Sequence, residues 1–431
     1  MALAALLPTA TVSDSGRAGQ SIIYYSGGLL MHHIRKVTDD LYWIGANDRR
    51  TERFENIHPI PEGVSYNAYM LLDEKTVLFD TVDWSCGRQF FDNVEAALNG
   101  RPLDYVIVHH VEPDHAATLG ELLLHYPNAR VIGTAKAKQF LTQFSTDVAD
   151  RFDAVKNGDS KSFGRHEIHF VAAPMVHWPE VMVSFDSTNG VLFSADAFGS
   201  FKALDGKLFA DEVNFDRDWI DEARRYYTNI VGKYGKNVQG LLKKTAALDI
   251  RMICPLHGLI WRKNLSYFID KHDKWSRYEP ESKGVLVVYA SMYGDTEQAA
   301  DILAGKLVEN GVTDVRVFDI SKTDKSYLIS EAFRLSHLVL ASCTYNLHIY
   351  PPMDAFITDM KMLALSGRTV SVIENGTWAI KAGTLIEEKL AAMKDMKRLE
   401  NKVTIQSSVS TDNKAALDAL ADAIAADINK H

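Results

Sequence analysis

Residues 109–115 read HHVEPDH, which sets His110, Glu112, Asp114 and His115 within six positions at the end of an apolar run. Imidazoles and carboxylates this dense compete for partners unless a cation organises them. A strand end alternates its side chains and then turns, so it can aim several of these groups at one point. Further ligand types stand at three other expected strand ends: His177 in PMVHWPE, Asp196 in LFSADAFG and His257 in CPLHG. Four histidines and three carboxylates are too many for one ion. They suit two ions with one carboxylate shared between them. His109 points to the opposite face of its strand, and His58, His166 and His169 stand apart from the constellation, so all four are expected to be non-ligands. Trp178, next to His177, is expected to pack against its neighbours rather than close the pocket against water.

A second constellation lies in the last third of the chain. The stretch YASMYGDTEQ (289–298) carries Ser291, Met292, Tyr293, Gly294, Asp295 and Thr296 between an apolar strand and a helix. A loop of small residues there leaves backbone N–H groups free at a helix N-terminus, which is a phosphate site. Two later loops stand at equivalent places. One carries Thr344, Tyr345 and Asn346, and the other Asn375, Gly376, Thr377 and Trp378. Small polar and aromatic residues at carboxyl ends of strands suit a flat, ring-bearing ligand.

The elements that must hold these loops follow from the hydrophobic pattern. Strands are expected over 75–83, 103–110, 129–134 and 249–258, with a helix over 117–127. Residues 160–174 and 182–196 read as hairpin-like segments, the second turning near STNG. One long helix is expected over about 217–246. Many strands with helices outside them predict an αββα sandwich. After the polar stretch around 273–284 the pattern becomes strict β-α alternation, with strands at 284–290, 314–320, 337–342, 369–374 and 403–407. That predicts a doubly wound, five-stranded parallel sheet. The expected division is an extension over 1–31, a metal-binding unit over 32–276, a linker over 277–283 and a nucleotide-binding unit over 284–431.

Composition narrows the function classes. The chain has 431 residues and a net charge of −9, so a basic footprint for nucleic acid is missing. No run approaches the roughly 18 apolar residues of a membrane helix. Three scattered cysteines, Cys86, Cys254 and Cys343, form no CxxC pair. They exclude a zinc ribbon or rubredoxin-type centre and suit a reducing cytoplasm. The opening MALAALLPTATVSDSGRAGQ has no Lys or Arg before its short apolar stretch, so it is a poor targeting signal.

The first half resembles the metallo-β-lactamase fold, whose usual motif is His-x-His-x-Asp-His. Glu112 replaces the second histidine. A carboxylate there makes the site harder and more anionic, favouring iron or manganese over zinc. The second half resembles flavodoxin, whose loop Ser/Thr-x-Thr-Gly-x-Thr appears as Ser291-Met292-Tyr293-Gly294-Asp295-Thr296. One such loop fits a mononucleotide, hence FMN. Together the halves, over roughly 32–430, resemble the flavodiiron proteins, with Cys343 departing from the proline expected before TYN. The resemblance implies two non-haem irons and a solvent-derived bridge. His110, Glu112 and His177 would hold one iron, Asp114, His115 and His257 the other, and Asp196 would bridge. It implies reduction of dioxygen to water, of nitric oxide to nitrous oxide, or both. FMN would relay electrons from an external donor such as rubredoxin or a reductase. It also implies a head-to-tail homodimer, which could pair further into a dimer of dimers. The alternative is a zinc hydrolase of the same fold with a fused flavin domain.

Overall fold

The computed structural model describes residues 32–430 apart from residue 149, so the extension expected over 1–31 lies outside the described residues. The first half is a sandwich of two sheets. One has seven strands in the order Arg35–Lys36, Leu41–Trp43, Tyr69–Leu72, Thr76–Phe79, Tyr105–Ile107, Arg130–Thr134 and Phe152–Val155. The other has five: Ser160–Ser162, Glu167–Ala172, Met182–Asp186, Val191–Phe193 and Met252–Cys254. Thr76–Phe79 and Val191–Phe193 are buried along their whole length, which explains their apolar runs Val77–Phe79 and Val191–Phe193. Phe79 and Phe193 stack across the two sheets with centroids 3.8 Å apart. A single apolar core runs between the layers.

The long helix expected over 217–246 is broken. Helices Phe215–Asp218 and Ile220–Tyr226 are followed by a π-turn at Tyr227–Val231, a 3-10 turn at Gly232–Tyr234 and a helix at Gly235–Thr245. Trp219 leaves helical geometry at φ −135°. Gly235 lies so close to the Ser276 carbonyl that a Cβ would sit 2.2 Å from it. Apolar periodicity survives these breaks, and long-range contact decides where they fall.

The last part is a parallel sheet in the order Val315–Asp319, Ser282–Ala290, Leu335–Tyr345, Arg368–Gly376. Its fifth position is shared by two short strands. Met396–Arg398 pairs the start of Arg368–Gly376, and Val403–Gln406 pairs its end. Helices cover both faces and make two apolar cores. This is the flavodoxin-like strand order, and it places the loops after Ala290, Tyr345 and Gly376 at one edge.

The sandwich and this sheet meet through two buried arginines. Arg225 lies between the rings of Phe201 (4.5 Å) and Tyr327 (4.3 Å) and donates to the Pro59 carbonyl (2.9 Å) and the Ser326 hydroxyl (3.1 Å). Arg224 pairs with Glu281, which also accepts from Trp275 Nε1 at 2.8 Å.

Candidate functional site

All seven residues of the first constellation converge at one end of the sandwich, in two adjoining clusters: His110, Glu112, His177 and Asp196, and Asp114, His115 and His257. His110 follows Tyr105–Ile107 by three residues. Glu112 caps the one-turn helix Pro113–Ala116, which carries Asp114 and His115. His177 lies in the loop before Met182–Asp186, Asp196 just beyond Val191–Phe193, and His257 just beyond Met252–Cys254. The Thr81 hydroxyl and N–H both donate to the His115 carbonyl, at 2.8 and 3.0 Å, tying the turn to the sheet.

In the first cluster, Glu112 Oε2 lies 3.1 Å from His110 Nε2 and 3.0 Å from His177 Nε2. Asp196 Oδ2 lies 3.3 and 3.4 Å from the same two nitrogens. In the second, Asp114 Oδ2 lies 3.3 Å from His115 Nε2 and 3.2 Å from His257 Nε2. The other oxygen of Asp196, Oδ1, is 3.2 Å from His115 Nε2 and 3.6 Å from His257 Nε2. Asp196 therefore turns one oxygen to each cluster. Ligands about 2.1 Å from a common ion and at right angles lie about 3 Å apart, so the spacing fits two ions.

The donor chemistry makes the same point. His257 Nδ1 donates to the Ser65 carbonyl (2.8 Å), leaving Nε2 a lone pair toward Asp114. Both Asp114 oxygens and His257 Nε2 are buried without a hydrogen-bond partner among the described residues. Without metal, protons must balance the site. Burial opposes a proton on His177, but Asp196 and Glu112 outweigh it and hold the imidazole at about 9. Burial pushes the Asp114 carboxyl up to about 7. Glu112 and Asp196 stay low despite burial because imidazoles surround them. A cation replaces those protons on the same lone pairs.

The four histidines set apart are engaged elsewhere or lie outside both clusters. His109 sits between the sheets, with Asp80 at 2.5 Å and Ser184 Oγ at 2.7 Å. His166 bridges Asp186 (2.8 Å) and Asp40 (3.0 Å). His58 starts the strand His58–Pro59 with its ring 6.3 Å from that of Phe201, and His169 Nε2 is 3.2 Å from Ser187 Oγ. Trp178 packs edge-on to His110 at 5.2 Å. Sequence reasoning missed Glu180, which accepts from His110 Nδ1, and Tyr226, whose buried hydroxyl faces Asp196 and feels the charges of Asp196, Asp114 and Glu112. Glu180 stands three residues after His177 in HWPE, a signal that was available. A cavity of about 610 Å³ opens onto Glu112 and Asp114 and is rimmed by Arg53, Glu55, Ile57 and Asp83.

The second constellation surrounds a cavity of about 150 Å³ at the sheet edge. Ser291, Met292, Tyr293, Asp295, Thr296, Thr344, Asn375, Gly376, Thr377 and Trp378 line it, with Cys343 and Ser407 added by the structure. Ser407 follows Val403–Gln406, an equivalent strand end that sequence reasoning passed over. Gly294 caps the fifteen-residue helix Asp295–Glu309 at φ +104° and accepts no side chain readily there. Its N–H donates to Ser291 Oγ at 3.0 Å. Tyr345 and Asn346 lie outside the lining, Tyr345 at the end of Leu335–Tyr345 paired with His348 and Asn346 in the turn that follows. Tyr293 and Trp378 are 94% and 87% exposed, so two aromatic faces flank the cavity with no other described residue covering them. Hydroxyls, a helix N-terminus and free aromatic rings fit a flavin mononucleotide.

Known proteins are similar to this chain along most of its length. The family description "ODP family beta lactamase" matches residues 64–258. The anaerobic nitric oxide reductase flavorubredoxin of Vibrio vulnificus is 30% identical over 348 residues, covering 79% of this chain and 70% of that protein. Rubredoxin oxygen:oxidoreductase from Desulfovibrio gigas superposes with a TM-score of 0.87 at 25% identity, covering 92% of this chain and 99% of the other. The flavodiiron protein from Giardia intestinalis shares the fold, with a TM-score of 0.87 at 24% identity and coverage of 92% and 98%. Among the described residues no helix is long and apolar enough to cross a membrane. With the sandwich, the two-cluster site and the flavodoxin-like sheet in one order, and with a relative matched along most of both chains, the protein is an oxidoreductase that belongs to the flavodiiron family.

Proposed function

We propose that the chain reduces dioxygen to water, nitric oxide to nitrous oxide, or both, at two irons fed by FMN. The observation that carries the reading is Asp196, whose two oxygens face the two clusters at 3.2–3.6 Å. His110, Glu112 and His177 would hold one iron, Asp114, His115 and His257 the other, with Asp196 and a solvent-derived atom between them. Two irons and a flavin together supply four electrons and Lewis-acid positions for a diatomic. The balance is four electrons and four protons for one dioxygen, or two electrons and two protons for two nitric oxide molecules.

The chain's own residues do the rest. Ser65 and Glu180 hold His257 and His110 by their second nitrogens, keeping Nε2 of each aimed inward. The buried Tyr226 hydroxyl offers a donor beside Asp196. The Phe54 and Tyr66 rings wall off His257, at 5.3 and 5.7 Å, and exclude water from that side.

Residues 32–276 and 284–431 act as the metal and flavin units, joined by 277–283. The metal-side cavity of about 610 Å³ far exceeds a diatomic, which needs about the 30 Å³ of a water. Its rim bears exposed Ile57, and the flavin cavity bears exposed Met292, Tyr293 and Trp378. A second copy set head to tail would bring these apolar rims together and the flavin of one chain to the irons of the other. An external donor, such as rubredoxin or a reductase, refills the flavin. The three free, buried thiols suit a cytoplasmic setting.

The test is anaerobic: iron and FMN are counted per chain, the protein is reduced, and reoxidation is followed by stopped flow with each gas. Two irons, one FMN and fast reoxidation by dioxygen without peroxide identify an oxygen reductase. Fast nitrous oxide formation with slow dioxygen turnover identifies a nitric oxide reductase. Zinc in place of iron, with neither gas consumed, overturns the reading.

A further inference from the structure

Glu180 is a buried carboxylate, 1% exposed, that is itself in neither metal-ligand cluster. Its Oε1 accepts from His110 Nδ1 at 2.6 Å and from the Val111 backbone N–H at 3.0 Å. Its own carbonyl accepts from the Thr134 hydroxyl at 3.0 Å, which anchors it to the end of Arg130–Thr134. The two clusters differ here. His257 Nδ1 donates to a neutral carbonyl, that of Ser65, and His115 Nδ1 has no hydrogen-bond partner among the described residues. Behind His110 stands a carboxyl group.

We infer that Glu180 is a positioning residue that fixes His110 with Nε2 toward the metal and makes the two metal positions unequal. It acts through His110 in two ways. Geometrically, the bond to Nδ1 commits that nitrogen as the donor, so Nε2 is the atom left for the ion. Electronically, an anionic acceptor increases the electron density His110 gives to its metal, so the His110–Glu112–His177 position favours the ferric state more than its neighbour. The proposal rests on the two-iron reading.

The test uses the full chain and two variants, Glu180→Ala and Glu180→Gln. Each is loaded anaerobically with ferrous iron and, separately, with zinc. The readouts are metal per folded chain, competition against a chelator, and the midpoint potentials of the two irons by redox titration with electron paramagnetic resonance. Glu180→Ala is expected to keep one metal with unchanged affinity and to bind the other 10- to 100-fold more weakly, a range typical of lost outer partners. Glu180→Gln keeps an oxygen that accepts the same two bonds. It is expected to restore affinity to within a few fold, yet to move one potential to a more positive value because the charge is gone. A residue that merely stabilised the loop would leave the potential of Glu180→Gln unmoved. Wild-type affinity at both positions in Glu180→Ala, or wild-type potentials in Glu180→Gln, overturns the inference. If the wild type takes up zinc but no iron, the iron reading fails, and the role of Glu180 in holding His110 is still decided by the zinc affinities.

Discussion

Asp114 Oδ2 and His257 Nε2 stand 3.2 Å apart, each with a lone pair toward the other once Asp114 is ionised. Such a pair is costly in a buried site unless a cation or proton lies between the atoms. Metal binding is therefore folding energy for this end of the sandwich. A metal present at a thousand times its dissociation constant stabilises by about 4 kcal/mol. Chelation is expected to lower the unfolding midpoint accordingly. Asp114→Asn should narrow the gap, since its amide N–H can donate to His257 Nε2 without metal and its oxygen is a weaker ligand. Thermal unfolding with and without chelator checks this, and an unchanged gap would refute it.

Glu112 touches both His110 and His177 through one oxygen, at 3.1 and 3.0 Å. Replacing it by a third imidazole removes one negative charge and softens the site. Glu112→His is expected to retain less iron and to prefer zinc when the two metals compete, with reductase turnover falling at least tenfold. Metal analysis after competitive loading is the measurement. Wild-type iron retention and turnover would sink the idea that this carboxylate selects the chemistry.

The parts of the molecule legible in the sequence were those written locally. His110, Glu112, Asp114 and His115 sit within six residues, and the loops at 291–296 and 375–378 each follow one strand. Asp196 and His257 could be read because strand ends are recognisable even when their partners are distant, whereas His177 sits in the loop between Glu167–Ala172 and Met182–Asp186 and not at a strand end. What was hidden depends on atoms far apart in the chain or on backbone groups. The Ser65 carbonyl that orients His257 lies 192 residues away and carries no side-chain signal. Gly235 approaches the Ser276 carbonyl just after Tyr234 leaves helical geometry, and no local periodicity records that contact. The fifth strand splits because both halves pair different stretches of Arg368–Gly376, a matter of register across the sheet.

His166 ties the two sheets together by bridging Asp186 and Asp40. Burial works against its charge, but the two carboxylates outweigh it and hold the imidazole at about 9, above its ordinary 6.5. A group raised on folding stabilises fully below its unfolded pKa and loses that contribution as pH rises through the folded one. The stabilisation is thus expected to be complete below about 6.5 and to fade toward pH 9. His166→Leu should lower stability at pH 6 and flatten the decline between pH 7 and 9. Urea midpoints across that range test it, and a variant as steep as the wild type would assign the decline to another group.

Gly294 holds the N-terminus of Asp295–Glu309 at φ +104°, and a Cβ added there would meet nothing within 4 Å. Any loss on substitution therefore comes from backbone strain and not from a clash. An L-residue pays about 1–2 kcal/mol in left-handed geometry, and relieving that strain would swing the backbone N–H groups of Asp295 and Thr296 away from a bound phosphate. Gly294→Ala is expected to weaken FMN binding roughly five- to thirtyfold, the same energy converted by 1.4 kcal/mol per decade. The metal clusters lie in the sandwich and should load normally. Fluorescence titration of the flavin-free protein with FMN, alongside metal analysis, reads both quantities at once. Unchanged FMN affinity would mean that the phosphate is held by the hydroxyls of Ser291 and Thr296 and not by the helix N-terminus.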